Sequence, residues 1–506
     1  MSQVINFTKA ATLPKVPVVL DALSSRFIRD NRIVPLEMKN NILKIVMADP
    51  TNKEVIDALR VALRANIHVY SGNEKEIDDY ITRYYGQESQ EINKIIENIE
   101  DKELEYTKDE GEDVGHLKDL ASEAPIIKLV NLIIARALES RASDIHVEPF
   151  EDELIIRYRI DGVLHNVETA PKKLQAAIIS RIKIMAKLNI AERRLPQDGR
   201  IRIKVSGREI DLRVSSIPVL YGESLVMRIL DKEGIVIDLE QLGFADEMLM
   251  QFKNLIERPN GIILVTGPTG SGKTTTLYGA LDKINSPDKK IITVEDPVEY
   301  QLKGVNQIQV KPQIGLNFAT TLRHIVRQDP DIIMIGEIRD LETTEIAVQS
   351  ALTGHLVLST LHTNDAPSAI TRLLDLGAES FLLSSTLTGI LAQRLVRIIC
   401  PHCKEEDISQ VQPGLPSAGA PASISVYRGK GCEKCTYTGY RGRLGIFELM
   451  IIDDNVRRLI LRKADANELR QAAIEQGMQT ILTDGYAKVG RGLTTLNEVF
   501  RVTQEV

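Results

Sequence analysis

The hydrophobic and polar positions change their period along the chain, and each change predicts a different kind of structure. The first 86 residues combine a short apolar run, Asn41–Met47, with a helical spacing of apolar residues over Lys53–Ala65. A second helical period covers Ala124–Ser140. Apolar and charged residues then alternate, as in a sheet with one face in water, along the runs Asp144–Glu148, Glu153–Ile160, Arg200–Val205 and Arg208–Val214, and Glu223–Leu230 closes this region.

From about residue 237 the pattern changes to short, continuously apolar runs separated by helical segments. Such runs belong to parallel strands that are covered on both faces, and they are Ile262–Val265, Lys290–Val294, Ile332–Ile335 and His355–Ser359. The predicted fold class is therefore α/β and multidomain. We expect a small α/β domain over 1–86, an acidic linker over 87–120, an α+β domain over 121–236 and a larger α/β domain over 237–506.

Composition and charge narrow the class of protein. The 506 residues are 43% hydrophobic and 26% charged, which is typical of a folded protein. No apolar run reaches the roughly 18 residues of a membrane span, and the N-terminus does not resemble a secretory signal, so we expect a cytoplasmic protein. The net charge is −7, and residues 87–113 alone hold 11 acids and 3 bases. This distribution argues against an extensive basic face for nucleic acid.

The most specific motif is Gly267–Thr274, GPTGSGKT, which follows an apolar strand and precedes a helix. Glycines allow the backbone to turn so that its amides point at phosphate oxygens beside a helix N-terminus. The lysine of this motif reaches the terminal phosphates and the last hydroxyl is placed for Mg²⁺. A glycine-rich turn without a ligand is the alternative. The predicted nucleotide contacts are Gly267, Pro268, Thr269, Gly270, Ser271, Gly272, Lys273, Thr274 and Thr275.

Acidic residues at two strand ends are candidates for metal and water. The strand Asp331–Glu337 ends in Glu337, which we assign together with Thr274 to Mg²⁺. The segment Thr293–Glu299 follows another strand, and its acids would lie at the edge of the phosphate loop if the two strands are parallel neighbours. Glu299 is the first choice for activating water and Glu295 the second. His362, at the exit of the last apolar strand, is either a γ-phosphate sensor or a core histidine.

All four cysteines lie in two C-x-x-C pairs, Cys400–Cys403 and Cys432–Cys435. In a cytosolic protein such pairs favour one tetrahedral Zn²⁺ over a disulfide scaffold, and four thiolates leave no open position for water, so the site is predicted to be structural. Unliganded thiols and a redox pair are the alternatives. The segment Gln412–Pro421 between the pairs is predicted to be a loop insertion.

Four segments together closely resemble the Walker A, Asp, Walker B and His boxes of secretion-superfamily ATPases, the motors of type II secretion and type IV pili. These segments are Gly267–Thr274, Glu295–Glu299, Gly336–Asp340 and Gly354–Asn364, and the resemblance extends upstream through Ser143–Glu148, Arg157–Gly162 and Arg193–Gly199. It implies a RecA-like motor domain preceded by a PAS-like domain, using ATP and Mg²⁺ in a homohexamer.

The same resemblance implies that arginines neutralise phosphate charge. By matching position, Arg213 and Arg228 are the candidates in the second domain, while Arg323 and Arg327, four residues apart and expected on one helix face, are those of the motor domain. For each of them a surface ion pair is the alternative role. The tetracysteine insert favours an assembly motor. The first domain would dock on inner-membrane proteins of the assembly.

Three classes of function fit these motifs: an assembly motor, a nucleic-acid translocase and a nucleotide-binding scaffold. The leading hypothesis is an ATPase of type II secretion, with a type IV pilus extension ATPase as the alternative. The tandem RLGxxL-type motif, through which some first domains of the family bind a cyclic dinucleotide, is missing before residue 90, which favours secretion. A nucleic-acid translocase on the same core is disfavoured by the few aromatic residues and the acidic linker. A scaffold that binds nucleotide without turnover is disfavoured by Lys273, Glu299 and Glu337.

Overall fold

The computed structural model describes residues 13, 23, 27–28, 31–39, 42–63, 65–85, 114–205, 208–231, 238–407 and 426–503. The acidic stretch 87–113 and the predicted loop Gln412–Pro421 lie outside these residues. The chain divides into two compact units, residues 1–231 with 430–438 and residues 232–429 with 439–506. In the described part, no helix is long and apolar enough to cross a bilayer.

The N-terminal part of the first unit is a small sheet covered by helices. Strand β2 pairs antiparallel with β1 and parallel with β3, and Leu43, Ile45 and Leu59 are fully buried between the layers. The strand and the helix predicted here from the apolar pattern are confirmed. The elements are β1 (Ile33–Lys39), β2 (Ile42–Met47), α1 (Lys53–Leu63), β3 (Asn66–Ser71) and α2 (Glu74–Tyr85).

The rest of the first unit is an antiparallel sheet with helices packed on one face. Its described strands follow the order β6-β5-β4-β9-β8-β7, and the β5–β6 hairpin turns at Asp161 and Gly162, both with positive φ. The four strands predicted here are confirmed; β6, β9, α3 and α5 were not predicted. The elements are α3 (Val114–Ser122), α4 (Ala124–Glu139), β4 (Ala142–Pro149), β5 (Glu153–Ile160), β6 (Val163–Pro171), α5 (Gln175–Met185), β7 (Gln197–Val205), β8 (Arg208–Val219) and β9 (Gly222–Asp231).

The second unit is built on a predominantly parallel sheet. Its described strands follow the order β12-β11-β13-β14-β10-β15-β18, and only β18 runs antiparallel to its neighbour. The four predicted strands are confirmed. The strands are β10 (Gly261–Thr266), β11 (Ile291–Glu295), β12 (Val305–Gln309), β13 (Ile332–Ile335), β14 (Leu356–Leu361), β15 (Leu387–Ile399), the separate hairpin β16 (Lys404–Glu406) and β17 (Tyr427–Gly429), and β18 (Tyr440–Ile451).

Both faces of this sheet are covered, as the continuous apolar runs require. Along β10, Ile262 and Leu264 belong to one core cluster, while Ile263 and Val265 belong to another. The covering helices are α6 (Asp246–Ile256), α7 (Lys273–Ile284), α8 (Phe318–Ile325), α9 (Leu341–Leu352), α10 (Ala366–Asp375), α11 (Ser380–Thr386), α12 (Asp454–Leu461), α13 (Ala466–Glu475), α14 (Ile481–Gly490) and α15 (Leu496–Thr503).

The strand order does not meet the condition stated for the first acidic segment, that its strand is a neighbour of the strand before the glycine-rich loop. Strands β10 and β11, which carry the glycine-rich loop and the first acidic segment, are not neighbours, because β13 and β14 lie between them. All four strands are parallel, so their carboxyl ends nevertheless meet at one edge of the sheet.

Candidate active site

The glycine-rich loop connects β10 to α7 and depends on glycine for its shape. Gly267, Gly270 and Gly272 have φ angles of 151°, 80° and 87°, which side chains with a Cβ rarely adopt. A Cβ at Gly267 would also lie 2.5 Å from the carbonyl oxygen of Gln393. The loop therefore requires glycine at these positions for conformation and, at Gly267, for space.

The loop presents polar groups that fit an anion. Among the described residues, the buried hydroxyl of Ser271 has no hydrogen-bond partner. The N-cap of α7, Gly272, provides no side-chain cap for the first-turn amides. Pro268, Thr269, Gly270 and Thr274 are exposed and Thr275 is half-buried. An unpaired buried hydroxyl beside uncapped helix amides suits phosphate oxygens.

The side chain of Lys273 turns back over this loop. Its ammonium group donates hydrogen bonds to the carbonyl oxygens of Gly267 (2.7 Å) and Pro268 (3.1 Å). Burial lowers the pKa of Lys273 to about 8, an effect that the positive charge of Arg394 reinforces and the negative charge of Glu337 opposes. The ammonium is thus poorly solvated, and a bound anion would stabilise its charged form.

Glu337, Arg339 and His362 form a charged cluster within electrostatic reach of Lys273. Glu337 follows β13, and the amide of the preceding Gly336 donates to the carbonyl of Val294 in β11. The carboxylate of Glu337, 12% exposed, lies 2.6 Å from the guanidinium of Arg339 and 3.4 Å from Nε2 of His362. Burial, assisted by the charge of Lys273, lowers the pKa of His362 against the opposing effect of Glu337.

The two glutamates proposed for water activation lie in different environments. Glu295 is 3% exposed and accepts hydrogen bonds from the Thr293 hydroxyl, the Tyr278 hydroxyl and the Gln307 amide. Burial raises its pKa although these donors act in the opposite direction. Glu299 is exposed in the loop after β11. A water molecule can reach Glu299, whereas protein donors already occupy both oxygens of Glu295.

The structure corrects the expectation for the arginines of the second unit. Helix α8 ends at Ile325, so Arg327 lies in the following turn, where its amide bonds to the carbonyl of His324, three residues back. Arg323 and Arg327 therefore do not share a helix face. Both are exposed, and Arg323 pairs with Glu342 at 2.5 Å.

In the first unit, the predicted arginines stand side by side on the antiparallel sheet. Arg213 in β8 lies directly opposite Arg228 in β9, and Arg200 in β7 lies opposite Arg213 on the other side. Arg228 is opposite Asp144 in β4 and donates its Nε hydrogen to that carboxylate at 2.9 Å. This bond leaves the terminal nitrogens of Arg228 available to a second acceptor.

The four cysteines converge. Their sulfur atoms all lie within 4.8 Å of one another, and those of Cys432 and Cys435 are 3.7 Å apart. Thiolates bound to tetrahedral zinc at about 2.3 Å have sulfurs about 3.8 Å apart. The cluster of Cys400, Cys403, Cys432 and Cys435 thus has the donor set and spacing to hold a Zn²⁺ ion.

Comparison with known proteins decides the family. Residues 119–501 match the family model described as "Type II/IV secretion system protein", and residues 5–91 match the MshEN domain model. The chain belongs to the type II/IV secretion system protein family.

Two relatives support this membership, and one solved structure shares the fold. It is 53% identical to the type II secretion system protein E of Xanthomonas campestris pv. campestris, over 98% of this chain and 87% of the relative. It is 48% identical to the type IV pilus assembly ATPase PilB of Myxococcus xanthus, over 96% and 86% of the two chains. The Legionella pneumophila ATPase DotB matches its fold with a TM-score of 0.57 and 21% identity, over 75% of this chain and 96% of that one.

Membership of the secretion family identifies the chain as an ATP hydrolase that uses ATP and Mg²⁺. The RecA-like α/β architecture expected from the four boxes is confirmed.

Sequence reasoning missed several residues at the site. Arg339 lies within the Walker B segment, and its charge two residues after Glu337 was a usable signal. Gln393, which donates to the Ser271 carbonyl and accepts from the Thr276 hydroxyl, lies on β15, a strand that the apolar pattern did not reveal. Tyr278 gave no signal, because its hydroxyl finds Glu295 only through the fold.

Proposed function

We propose that this chain is the ATPase of a type II secretion system and that it uses ATP hydrolysis to drive pseudopilus assembly and protein export. The observation that carries the proposal is the convergence of Lys273, Glu337 and His362 beside a phosphate loop with an unpartnered serine hydroxyl. The secretion role is supported by the relative with 53% identity, which is a type II secretion system protein.

In this proposal the loop from Gly267 to Thr275 binds the triphosphate. Backbone amides at the start of α7 and the Ser271 hydroxyl would donate to phosphate oxygens. Lys273 would exchange its two carbonyl acceptors for the terminal phosphates. Its burial supports this role, because a poorly solvated ammonium gains more from an anionic partner than an exposed one does.

Thr274 and Glu337 would hold Mg²⁺. Both offer oxygen donors, which this hard cation prefers. The ion would supply positive charge that neutralises the phosphate oxygens. Arg339, paired with Glu337 in the structure, would have to share that carboxylate with the ion.

Glu299 would orient and deprotonate the attacking water. It is exposed, whereas Glu295 is buried and already accepts three hydrogen bonds, so the geometry favours Glu299 of the two. His362 would contact the γ-phosphate, a role supported by its position next to Glu337. Arg213, Arg228, Arg323 and Arg327 would neutralise phosphate charge.

The active protein would be a homohexamer at the cytoplasmic face of the inner membrane. The MshEN-like domain over 5–91 would dock on the membrane proteins of the secretion assembly. The tetracysteine zinc site would keep the polypeptide around residues 400–435 folded without taking part in hydrolysis. No nucleic acid takes part in this scheme.

A type IV pilus extension ATPase is the second candidate, favoured by the 48% identity to PilB of Myxococcus xanthus. Its chemistry at the phosphate site would be the same. The two candidates differ in the membrane partner and in the fibre that is built.

The proposal is tested by an ATPase assay on the purified protein and by an export assay in the source cell. The purified full chain should release phosphate from ATP, and Lys273→Ala should not. When the chromosomal copy in the source cell carries Lys273→Ala, we expect export of secreted enzymes to stop while surface pili persist. Loss of pili with normal export would contradict the secretion role, and absence of ATP turnover by the wild type would contradict the ATPase itself.

A further inference from the structure

A buried polar network links the phosphate-loop helix to the loop that carries Glu299. Tyr278 lies on α7, five residues after Lys273, and is completely buried. Its hydroxyl donates to the Glu295 carboxylate at the end of β11. The hydroxyl also lies within electrostatic reach of Glu299, whose backbone opposes the rise that burial causes in the pKa of Tyr278. One side chain of α7 therefore contacts the start of the acidic segment and lies near its middle.

Gln307 on β12 holds the far end of that loop. Its amide nitrogen donates to Glu295 (3.1 Å), to the carbonyl of Tyr300 (3.1 Å) and to the Tyr278 hydroxyl (3.3 Å). Its carbonyl oxygen accepts from the amide of Leu302 at 2.7 Å. The loop 296–304 is thus tied to the network on either side of Glu299.

Packing fixes the same geometry. The rings of Tyr278 and Tyr300 meet edge to face with centroids 4.6 Å apart. Glu295 is also bonded to Thr293, which pairs in register with Gln307 across the parallel strands. Every polar atom of the Glu295 side chain is satisfied, so its carboxylate acts as a hub for hydrogen bonds.

We propose that Tyr278, Glu295 and Gln307 are positioning residues that fix the loop 296–304, and with it Glu299, relative to the phosphate-loop helix. The inference rests on the proposed role of Glu299 as the base. Small displacements of a catalytic group cost large factors in rate, and Glu299 itself is exposed in this loop. Burial raises the pKa of Tyr278, so its hydroxyl keeps the proton that it donates to Glu295.

The test uses isosteric variants of the full chain. Tyr278→Phe removes only the hydroxyl, and we expect kcat to fall about ten- to a hundredfold while KM for ATP changes less than about twofold. Hydrogen exchange should become faster in peptides covering 298–304. The matched control is Tyr486→Phe on α14, a hydroxyl with no hydrogen bond among the described residues, which should change neither quantity.

Glu295 provides an independent pair of variants. Glu295→Gln keeps the shape of the side chain and one oxygen acceptor, which can serve either Tyr278 or the donors Thr293 and Gln307. It should therefore keep more of kcat than Glu295→Ala, which should lose about as much as Tyr278→Phe. The double variant Tyr278→Phe with Glu295→Ala should lose no more than either single one, because both remove the same network.

Three results would overturn the inference. An unchanged kcat in Tyr278→Phe, with Glu299→Gln inactive, would remove the network and leave the proposed function standing. Glu295→Gln as inactive as Glu295→Ala would make Glu295 a chemical participant. Full turnover by Glu299→Gln, with Lys273→Ala inactive, would instead remove the base assignment on which the inference rests.

Discussion

The two large sheets of this protein place charged groups in different ways. In the antiparallel sheet of the first unit, the side chains of Ile145, Met227 and Val214 form a row in the core. The adjacent row on the opposite face carries Arg228 and Arg213. In the parallel sheet of the second unit both faces are buried, and charged side chains lie where the strands end, as Glu337 does after β13.

The two sheets differ in the free energy that it costs to keep a charged side chain in place. Arg228 is 61% exposed and bonded to Asp144, so its guanidinium can change partner at little cost. Lys273 is buried, with its pKa lowered to about 8. Its charged form is less stable than that of an exposed lysine, and a bound anion would stabilise it. We therefore expect substitutions at the parallel edge to have larger effects on catalysis than substitutions on the antiparallel face.

The largest effect is expected from Lys273→Ala. The variant should keep its fold and lose phosphate release by roughly a thousandfold, because it removes the charge nearest the terminal phosphates. The measurement is steady-state phosphate release. Lys283→Ala, an exposed lysine near the end of the same helix, is the control and should stay close to wild type. Turnover in Lys273→Ala above a tenth of the wild-type rate would mean that the phosphate site is misplaced.

A smaller catalytic effect is expected from Arg228→Ala. Loss of one phosphate-neutralising arginine should lower kcat about a hundredfold in the assembled protein, with less change in ATP affinity. Arg194→Ala, an exposed arginine of the same unit, serves as the control. If Arg228→Ala and Arg213→Ala both retain wild-type rates, the antiparallel face has no part in hydrolysis.

The predicted zinc site is expected to contribute to stability and not to catalysis. Cys403→Ser should reduce bound zinc from about one ion per chain to a small fraction and lower the melting temperature, because three thiolates hold the ion less tightly. Elemental analysis and thermal unfolding are the measurements. His402→Ala, an exposed histidine within the same knuckle, should retain the metal. Native protein without zinc would remove the site.

The smallest effect concerns acid stability. Burial alone would raise the pKa of Glu498, but hydrogen bonds from Arg501 and Arg397 outweigh it and hold the pKa at about 2. A carboxylate with a lowered folded pKa stabilises the fold above its unfolded pKa of about 4.5 and loses that contribution as the pH falls toward 2.

Glu498→Gln should accordingly lower the melting temperature by a few degrees at pH 7, equivalent to at most about 3 kcal/mol, and the difference should shrink between pH 4.5 and pH 2. Glu475→Gln, exposed on α13, is the control and should show little difference at any pH. A constant difference for Glu498→Gln across this range would contradict the ion-pair explanation.

The pattern of apolar residues predicted most of the two large sheets, because alternation and continuous burial are local properties. It did not reveal β15 or β18, whose long strands contain polar and charged residues such as Gln393, Arg394 and Glu448 that are buried only in the finished fold. The phosphate loop was predictable because its chemistry is encoded in eight consecutive residues.

The remaining site residues depend on contacts between distant segments. The choice between Glu299 and Glu295 could not be made from the sequence, because it depends on donors from Tyr278 and Gln307, which lie 17 and 12 residues from Glu295. The expectation that Arg323 and Arg327 share a helix face failed because α8 ends at Ile325, just before Gln328, Asp329 and Pro330.

Single-turnover hydrolysis of ATP by Glu299→Gln tests the catalytic arrangement most directly. The glutamine keeps the shape of the side chain and removes its basic oxygen, so we expect ATP to bind with wild-type affinity and to be cleaved at least about a hundredfold more slowly. Cleavage at the wild-type rate with ATP bound would contradict the account.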